Sequence, residues 1–144
     1  MTNNLLHSRS VVFIHGLTGH PKNTWTAFST SPDGSPSEVF WPYDLLPQRF
    51  PDIRILTYGF NLGPSLPHLR HPILNIDDVA MQFLELLSNH RELWPDRALL
   101  FIAHSLGGNV LKKVGLPRPT IYHMGQTLMC QISDSSTLVH NATL

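Results

Sequence analysis

The stretch Leu99-Leu100-Phe101-Ile102-Ala103-His104-Ser105-Leu106-Gly107-Gly108 decides the fold, because it joins a buried strand to a helix through one serine. The apolar run Leu99–Ala103 precedes the serine, and a helical pattern follows at once and ends near Val114. A serine on such a sharp strand-to-helix turn projects its hydroxyl away from the backbone, as a nucleophile requires. The alternative interpretation is a serine that only caps a helix.

Small residues surround Ser105, and they fit the geometry of such a turn. Crowding allows only small side chains two positions before and after the serine, where the chain has Ala103 and Gly107. Gly108 lets the new helix pack closely against the sheet. The backbone N–H of Leu106, at the start of that helix, is expected to donate a hydrogen bond to a developing oxyanion.

A second motif lies near the beginning of the chain. The β-branched, apolar run Val11–Ile14 predicts a strand that is buried on both faces, as in a parallel sheet. It ends at His15-Gly16, and Gly16 and Gly19 bracket a tight loop. If this strand neighbours the serine strand, the N–H of Leu17 supplies a second oxyanion donor. The alternative is a histidine and a glycine that merely close a strand.

The order of the remaining elements predicts the fold class. Ile53–Tyr58 is expected to be a strand, and the periodic apolar residues of Ile76–Leu87 predict a helix with Asn75 as its N-cap. Ser29–Ser37 is predicted to be a surface loop, and a short helix is expected around Tyr43–Leu46. Strands alternating with helices predict an α/β protein with a parallel sheet.

The character of the chain changes after Gly115. We expect one partial domain at residues 8–115 and an atypical tail at residues 116–144, which is poorly ordered or forms a single edge strand at Thr127–Ile132. No further crossover helix is legible in the tail. The sheet is therefore expected to be incomplete at its C-terminal side.

Composition excludes several classes of function. The formal net charge is zero and no block of Lys or Arg is present, so we expect no nucleic-acid partner. Cys130 is the only cysteine, and the histidines lack metal-ligand spacing, so neither a metal nor a cofactor is predicted. No signal peptide or transmembrane segment is legible, which predicts an intracellular protein, cytoplasmic by default.

The motifs together resemble the α/β-hydrolase superfamily, and more narrowly its serine-active-site-containing, lipase-like family and the related fungal hydrolase modules. The resemblance covers roughly residues 8–114 and rests on Val11–His20, Thr24-Trp25, Trp41–Pro47, Arg54–Gly59 and Ala103–Gly108. It implies a three-layer α/β-hydrolase-type parallel sheet, here truncated. It also implies a serine esterase that acts on acyl or lipid esters, and an association with mitochondrial or endoplasmic-reticulum membranes.

The resemblance also implies the roles of the site residues. Ser105 matches the nucleophile of the family, and Leu17 and Leu106 match the positions that form the oxyanion hole. Gly16, Gly107 and Gly108 are the expected glycines of the loop and the turn.

The catalytic acid and base are harder to assign. The family places them after later strands, and the chain offers Asp134 and His140 in that order, but only six residues apart. A crossover alone takes a dozen residues or more, so both partners of Ser105 are expected to be absent. His104 and His15 are expected to have structural roles. The alternatives to an active esterase are an inactive hydrolase fragment and an interaction module that binds a partner domain or chain at an open sheet edge.

Overall fold

The computed structural model describes residues 9–62, 75–94, 97–115, 120–124 and 127–132. Within these ranges the chain forms a five-stranded sheet, a separate two-stranded sheet and four α-helices. The strands are β1 (Arg9–Ile14), β2 (Thr26–Thr30), β3 (Pro36–Phe40), β4 (Ile53–Tyr58), β5 (Ala98–His104), β6 (Thr120–Met124) and β7 (Thr127–Ile132). The helices are α1 (Trp41–Asp44), α2 (Leu46–Arg49), α3 (Ile76–Leu93) and α4 (Leu106–Lys113).

The main sheet has the strand order β4-β1-β5-β7-β6. Strands β4, β1 and β5 are parallel, and their register pairs Ile14 with both Tyr58 and Ala103. The predicted parallel sheet is therefore confirmed, and with it the α/β class. Strand β5 lies directly beside β1, as the argument for two adjacent loops requires.

Successive apolar side chains of β1 point to opposite faces of the sheet, and helices cover both of these faces. Val12 and Ile14 face α3 and α4, and they pack in one apolar cluster with Phe83, Phe101 and Val110. Val11 and Phe13 face the opposite side, where the segment between β1 and β4 covers them. The apolar side chains of that second cluster include Trp25, Phe40, Trp41 and Leu46.

Two tryptophans form the centre of the second cluster. The ring centroid of Phe13 lies 5.1 Å from that of Trp25 and 5.2 Å from that of Trp41, both in edge-to-face contact. Such contacts contribute about 1 kcal/mol each beyond the burial of area. These tryptophans stabilise the packing of the segment between β1 and β4 against the sheet.

Helix α3 begins where the sequence predicts. The Asn75 side chain accepts hydrogen bonds from the N–H groups of Asp77 and Asp78, at 2.8 and 2.9 Å. The Asp78 carboxylate in turn accepts a bond from the Asn75 N–H at 3.0 Å, which completes a capping box. Lys113, the last residue of α4, forms an ion pair with Asp77 in the first turn of α3 and so links these two helices.

The loop prediction for Ser29–Ser37 is wrong in part, because β2 and β3 form an antiparallel hairpin there. Its turn covers residues 31–35, where Gly34 has a φ of +83° and its N–H bonds to the Ser31 carbonyl. The strand side chains are mostly exposed, so the apolar alternation that identifies a strand is missing. The short helix expected around Tyr43–Leu46 is present as two single turns, α1 and α2.

The C-terminal segment contributes two strands to the main sheet. Strand β7 occupies the residues predicted as a single edge strand and pairs antiparallel with β5 from Leu99 to His104, but it is not at the edge, because β6 lies beyond it. Strand β6, which the sequence pattern does not reveal, pairs antiparallel with β7. Strand β7 thus covers the sheet edge beside the serine strand, so β5 does not offer the open edge that the interaction-module alternative requires.

Candidate active site

After the carboxyl ends of β1 and β5, the chain continues on opposite faces of the sheet. The segment after β1 packs on the face of the second cluster, whereas α4, which follows β5, packs on the opposite face. Two neighbouring strands whose connections leave in opposite directions open a crevice between them. The loop after Ile14 and the turn at Ser105 both lie at this crevice, and all the predicted site residues belong to these two segments.

Ser105 occupies an unusual backbone conformation at this crevice. Its φ is +52° and its ψ is −120°, and it is the only non-glycine residue with a positive φ in the described part of the chain. Such strain costs on the order of 1–3 kcal/mol and persists only where the surrounding structure enforces it. An observed outlier of this kind is the starting point for a hypothesis of function at that residue.

The Ser105 hydroxyl does not cap the helix that follows. Although Ser105 is the N-cap residue of α4, its side chain makes no capping hydrogen bond. An ordinary capping serine has an extended backbone and bonds to an N–H of the first turn. The capping interpretation of Ser105 is therefore wrong, and the exposed hydroxyl remains available for chemistry.

Gly107 and Gly16 bring the two segments together. A Cβ added to Gly107 would lie 2.5 Å from the carbonyl oxygens of both Ile14 and His15, so the first turn of α4 contacts the end of β1 directly. A Cβ added to Gly16 would lie 3.1 Å from the Cβ of Ser105. The loop after β1 therefore passes immediately beside the serine.

Gly108 is buried in the same turn, and its N–H bonds to the Ser105 carbonyl at 3.0 Å. Leu106 is the first residue of α4, so its N–H has no acceptor within the helix. Leu17 follows Gly16 along the chain and is 53% exposed. All the predicted site residues therefore lie in the two segments that Gly16 and Gly107 bring into contact.

His15 is buried and uses both ring nitrogens. Nε2 accepts a hydrogen bond from the N–H of Phe60 at 3.2 Å, and Nδ1 lies 2.7 Å from the carbonyl oxygen of Gly16. The ring also stacks on Phe60, with the centroids 4.6 Å apart. These bonds fit the structural role expected for this histidine. The side chain of His104 is half-buried and packs against Gly16.

No hydrogen bond joins the Ser105 hydroxyl to an imidazole or a carboxylate among the residues that the structure describes. Asp134 and His140, the nominal acid and base of the sequence, lie outside these residues. Within the same ranges, no group of three or more His, Cys, Asp or Glu is placed to hold a metal ion.

A cavity of about 240 Å³ lies far from Ser105, at the amino end of the parallel strands. It is lined by Arg9, Val11, Phe50, Ile53 and Leu100. Because the serine and the oxyanion candidates lie at the opposite end of the same strands, this cavity is not part of the candidate site.

Comparison with known proteins identifies relatives of the sequence. The chain is 31% identical over 113 residues to Protein SERAC1 of Mus musculus, and 31% identical over 119 residues to Protein SERAC1 of Homo sapiens. The mouse alignment covers 72% of this chain but 17% of the relative, so the chain spans about a sixth of the length of these curated proteins. No family model and no solved structure matches the chain.

No helix in the described ranges combines the length and the apolar character needed to cross a membrane.

Proposed function

We propose that this chain carries the nucleophile of a serine ester hydrolase, with Ser105 in that role. The observation that carries the proposal is the strained Ser105 backbone, which exposes a hydroxyl that makes no capping bond. In the proposed reaction the Ser105 oxygen attacks the carbonyl carbon of an ester and gives its proton to a base from outside the described residues, which returns the proton to the leaving alcohol. The alcohol then leaves, and water later releases the acid from the acyl-enzyme.

The N–H groups of Leu17 and Leu106 are proposed to bind the oxyanion of the tetrahedral intermediate. They belong to the two segments that meet at Gly16 and Gly107, beside Ser105. Fixed donors of this kind contribute several kcal/mol of transition-state stabilisation in acyl transfer. The resemblance of the motifs to lipase-like hydrolases, together with the exposed Leu17 side chain, supports an acyl or lipid ester as the substrate.

The acid and base are proposed to be missing from the described residues. His15 is committed to two backbone groups, and no described imidazole bonds to Ser105. A serine without a base reacts slowly, because the hydroxyl keeps its proton. This observation favours a second candidate function, a catalytically inactive hydrolase fragment or interaction module.

Two further expectations remain proposals. We place the boundary of the hydrolase unit after Gly115, with residues 116–144 as an atypical tail whose strands β6 and β7 extend the main sheet. On the resemblance alone, we propose an association with mitochondrial or endoplasmic-reticulum membranes.

A fluorophosphonate probe tests the proposal, because it labels only activated serines. We expect covalent labelling at Ser105, located by peptide mapping. Labelling should disappear in Ser105→Ala and persist in Ser29→Ala, which changes an exposed serine of β2. A folded chain that takes up no label would contradict the nucleophile assignment and favour the inactive fragment. Turnover of p-nitrophenyl butyrate, lost in Ser105→Ala, would exclude the inactive alternative.

A further inference from the structure

Two groups contact the carbonyl oxygen of the Gly16–Leu17 peptide and hold the peptide in place. Its carbonyl oxygen accepts a bond from the Gly19 N–H at 3.0 Å and lies 2.7 Å from Nδ1 of His15. No cis peptide bond occurs in the described residues, so the N–H of Leu17 points opposite to this oxygen. The direction of the oxygen therefore sets the direction of the Leu17 N–H.

The tautomer of His15 follows from its partners. The Phe60 N–H is a donor, so Nε2, which accepts its hydrogen bond, carries no proton. A carbonyl oxygen only accepts, so Nδ1 must carry the proton that binds Gly16. A single neutral form of the ring satisfies both contacts.

The strand order indicates on which side of the loop the two groups of this peptide lie. Strand β1 lies between β4 and β5, and the His15 ring reaches toward Phe60, at the end of β4. The Gly16 carbonyl oxygen, which bonds to this ring, therefore lies on the β4 side of the loop. In this arrangement the Leu17 N–H, opposite to the oxygen on the same trans peptide, would face the β5 side, where Ser105 lies.

We infer that His15 is a positioning residue, whose Nδ1–H fixes the Gly16–Leu17 peptide so that the Leu17 N–H faces the reacting carbonyl oxygen. The inference rests on the proposed function of Ser105. Phe60 selects the tautomer: its N–H occupies Nε2 and its ring stacks on the imidazole. The end of β4 thereby determines the geometry of a donor that lies beside β5.

Two substitutions separate the role of His15 in positioning from its role in packing. His15→Asn keeps a donor close to the position of Nδ1, whereas His15→Phe keeps the stacking on Phe60 and loses both hydrogen bonds. His20→Ala is the matched control, since it changes a histidine of the same loop whose Nδ1 accepts only from Lys22 and Asn23. Circular dichroism establishes that each variant is folded.

The first readout is the rate of Ser105 labelling by the fluorophosphonate. We expect His15→Phe to slow labelling at least about tenfold, since losing one oxyanion donor commonly costs more than this. His15→Asn should stay within about threefold of the parent chain, and His20→Ala should leave the rate unchanged. A folded His15→Phe chain that reacts at the parent rate would overturn the inference.

The second readout is independent of reactivity. Nitrogen-15 NMR of the parent chain should show a protonated Nδ1 and an unprotonated Nε2 for His15, and the Leu17 amide resonance should move further in His15→Phe than in His15→Asn. The opposite tautomer, or a Leu17 resonance that does not respond, would overturn the positioning role. If the parent chain takes up no label, the proposed function fails, and the NMR data alone decide the role of His15.

Discussion

Gly107 lies against the carbonyl oxygen of Ile14, so close that a Cβ at position 107 would be 2.5 Å from that oxygen. The carbonyl of His15 lies at the same distance. Both neighbours belong to the backbone at the end of β1 and cannot rotate away, unlike the end of a flexible side chain. The contact therefore fixes how closely α4 approaches β1, and with it the width of the crevice beside Ser105.

Gly107→Ala is expected to destabilise the fold by about 3 kcal/mol, at the upper end of the usual cost of overpacking, because two carbonyl groups must shift. The midpoint of urea unfolding measures the change. Asn109→Ala is the matched control, since Asn109 is exposed in the same helix and such changes usually stay within about 0.5 kcal/mol. Equal midpoints for the two variants would contradict the close contact.

Ser105→Gly is expected to be more stable than Ser105→Ala by about 1 kcal/mol. Both variants lose the hydroxyl, but only glycine adopts a φ of +52° without strain. The gain is smaller than the full strain, because glycine also increases the entropy of the unfolded chain. Thermal unfolding of the two variants provides the comparison, and an alanine variant as stable as the glycine variant would show that the backbone is relaxed.

Removal of β6 and β7 is expected to make the protein self-associate. A chain cut after Gly115 exposes the N–H and C=O groups of β5 that now pair with β7, and an unpaired strand edge is a template for aggregation. A chain cut after Ile132 keeps both strands and serves as the control. Size-exclusion chromatography should show larger species only for the shorter chain, whereas two monomers would mean that β7 does not protect β5.

Tyr58 makes the stability sensitive to alkaline pH. Burial raises its pKa above the ordinary value of 10.0, so the unfolded chain ionises first as pH increases. The free energy of unfolding is therefore independent of this group below pH 10.0 and decreases as pH rises from there through the folded pKa. Tyr58→Phe should lack this contribution, and denaturant unfolding across this pH range, compared with the parent chain, tests it.

The same variant removes the hydrogen bond from the Tyr58 hydroxyl to the Val79 carbonyl, which measures 3.0 Å. Below pH 10 we expect a loss of about 1 kcal/mol for this neutral bond. If the parent chain and Tyr58→Phe weaken in parallel at alkaline pH, another group is responsible for the dependence.

The elements with strong local signals were predictable. The strands β1, β4 and β5 are apolar runs with clear ends, and α3 combines an apolar stripe with the Asn75 cap. Their parallel arrangement follows from the alternation of strands and helices. The adjacency of the Ser105 turn and the Gly16 loop then follows from the topology.

The other features depend on pairing that no local pattern encodes. The hairpin of β2 and β3 has few apolar residues, and β6 is visible only once β7 provides a partner. The backbone angles of Ser105 and the tautomer of His15 likewise depend on neighbours distant in sequence, such as Phe60. The sequence therefore indicates which residues meet, whereas the structure determines how their polar groups are oriented.

The pairing of β7 with β5 also has a consequence for assembly. Strand β5 has two edges, of which one binds β1 and the other binds β7. Each edge offers one row of backbone donors and acceptors, so it accommodates one neighbour at a time. Any further strand, whether from the same polypeptide or from another, competes with β7 for this position, and the two occupants are mutually exclusive.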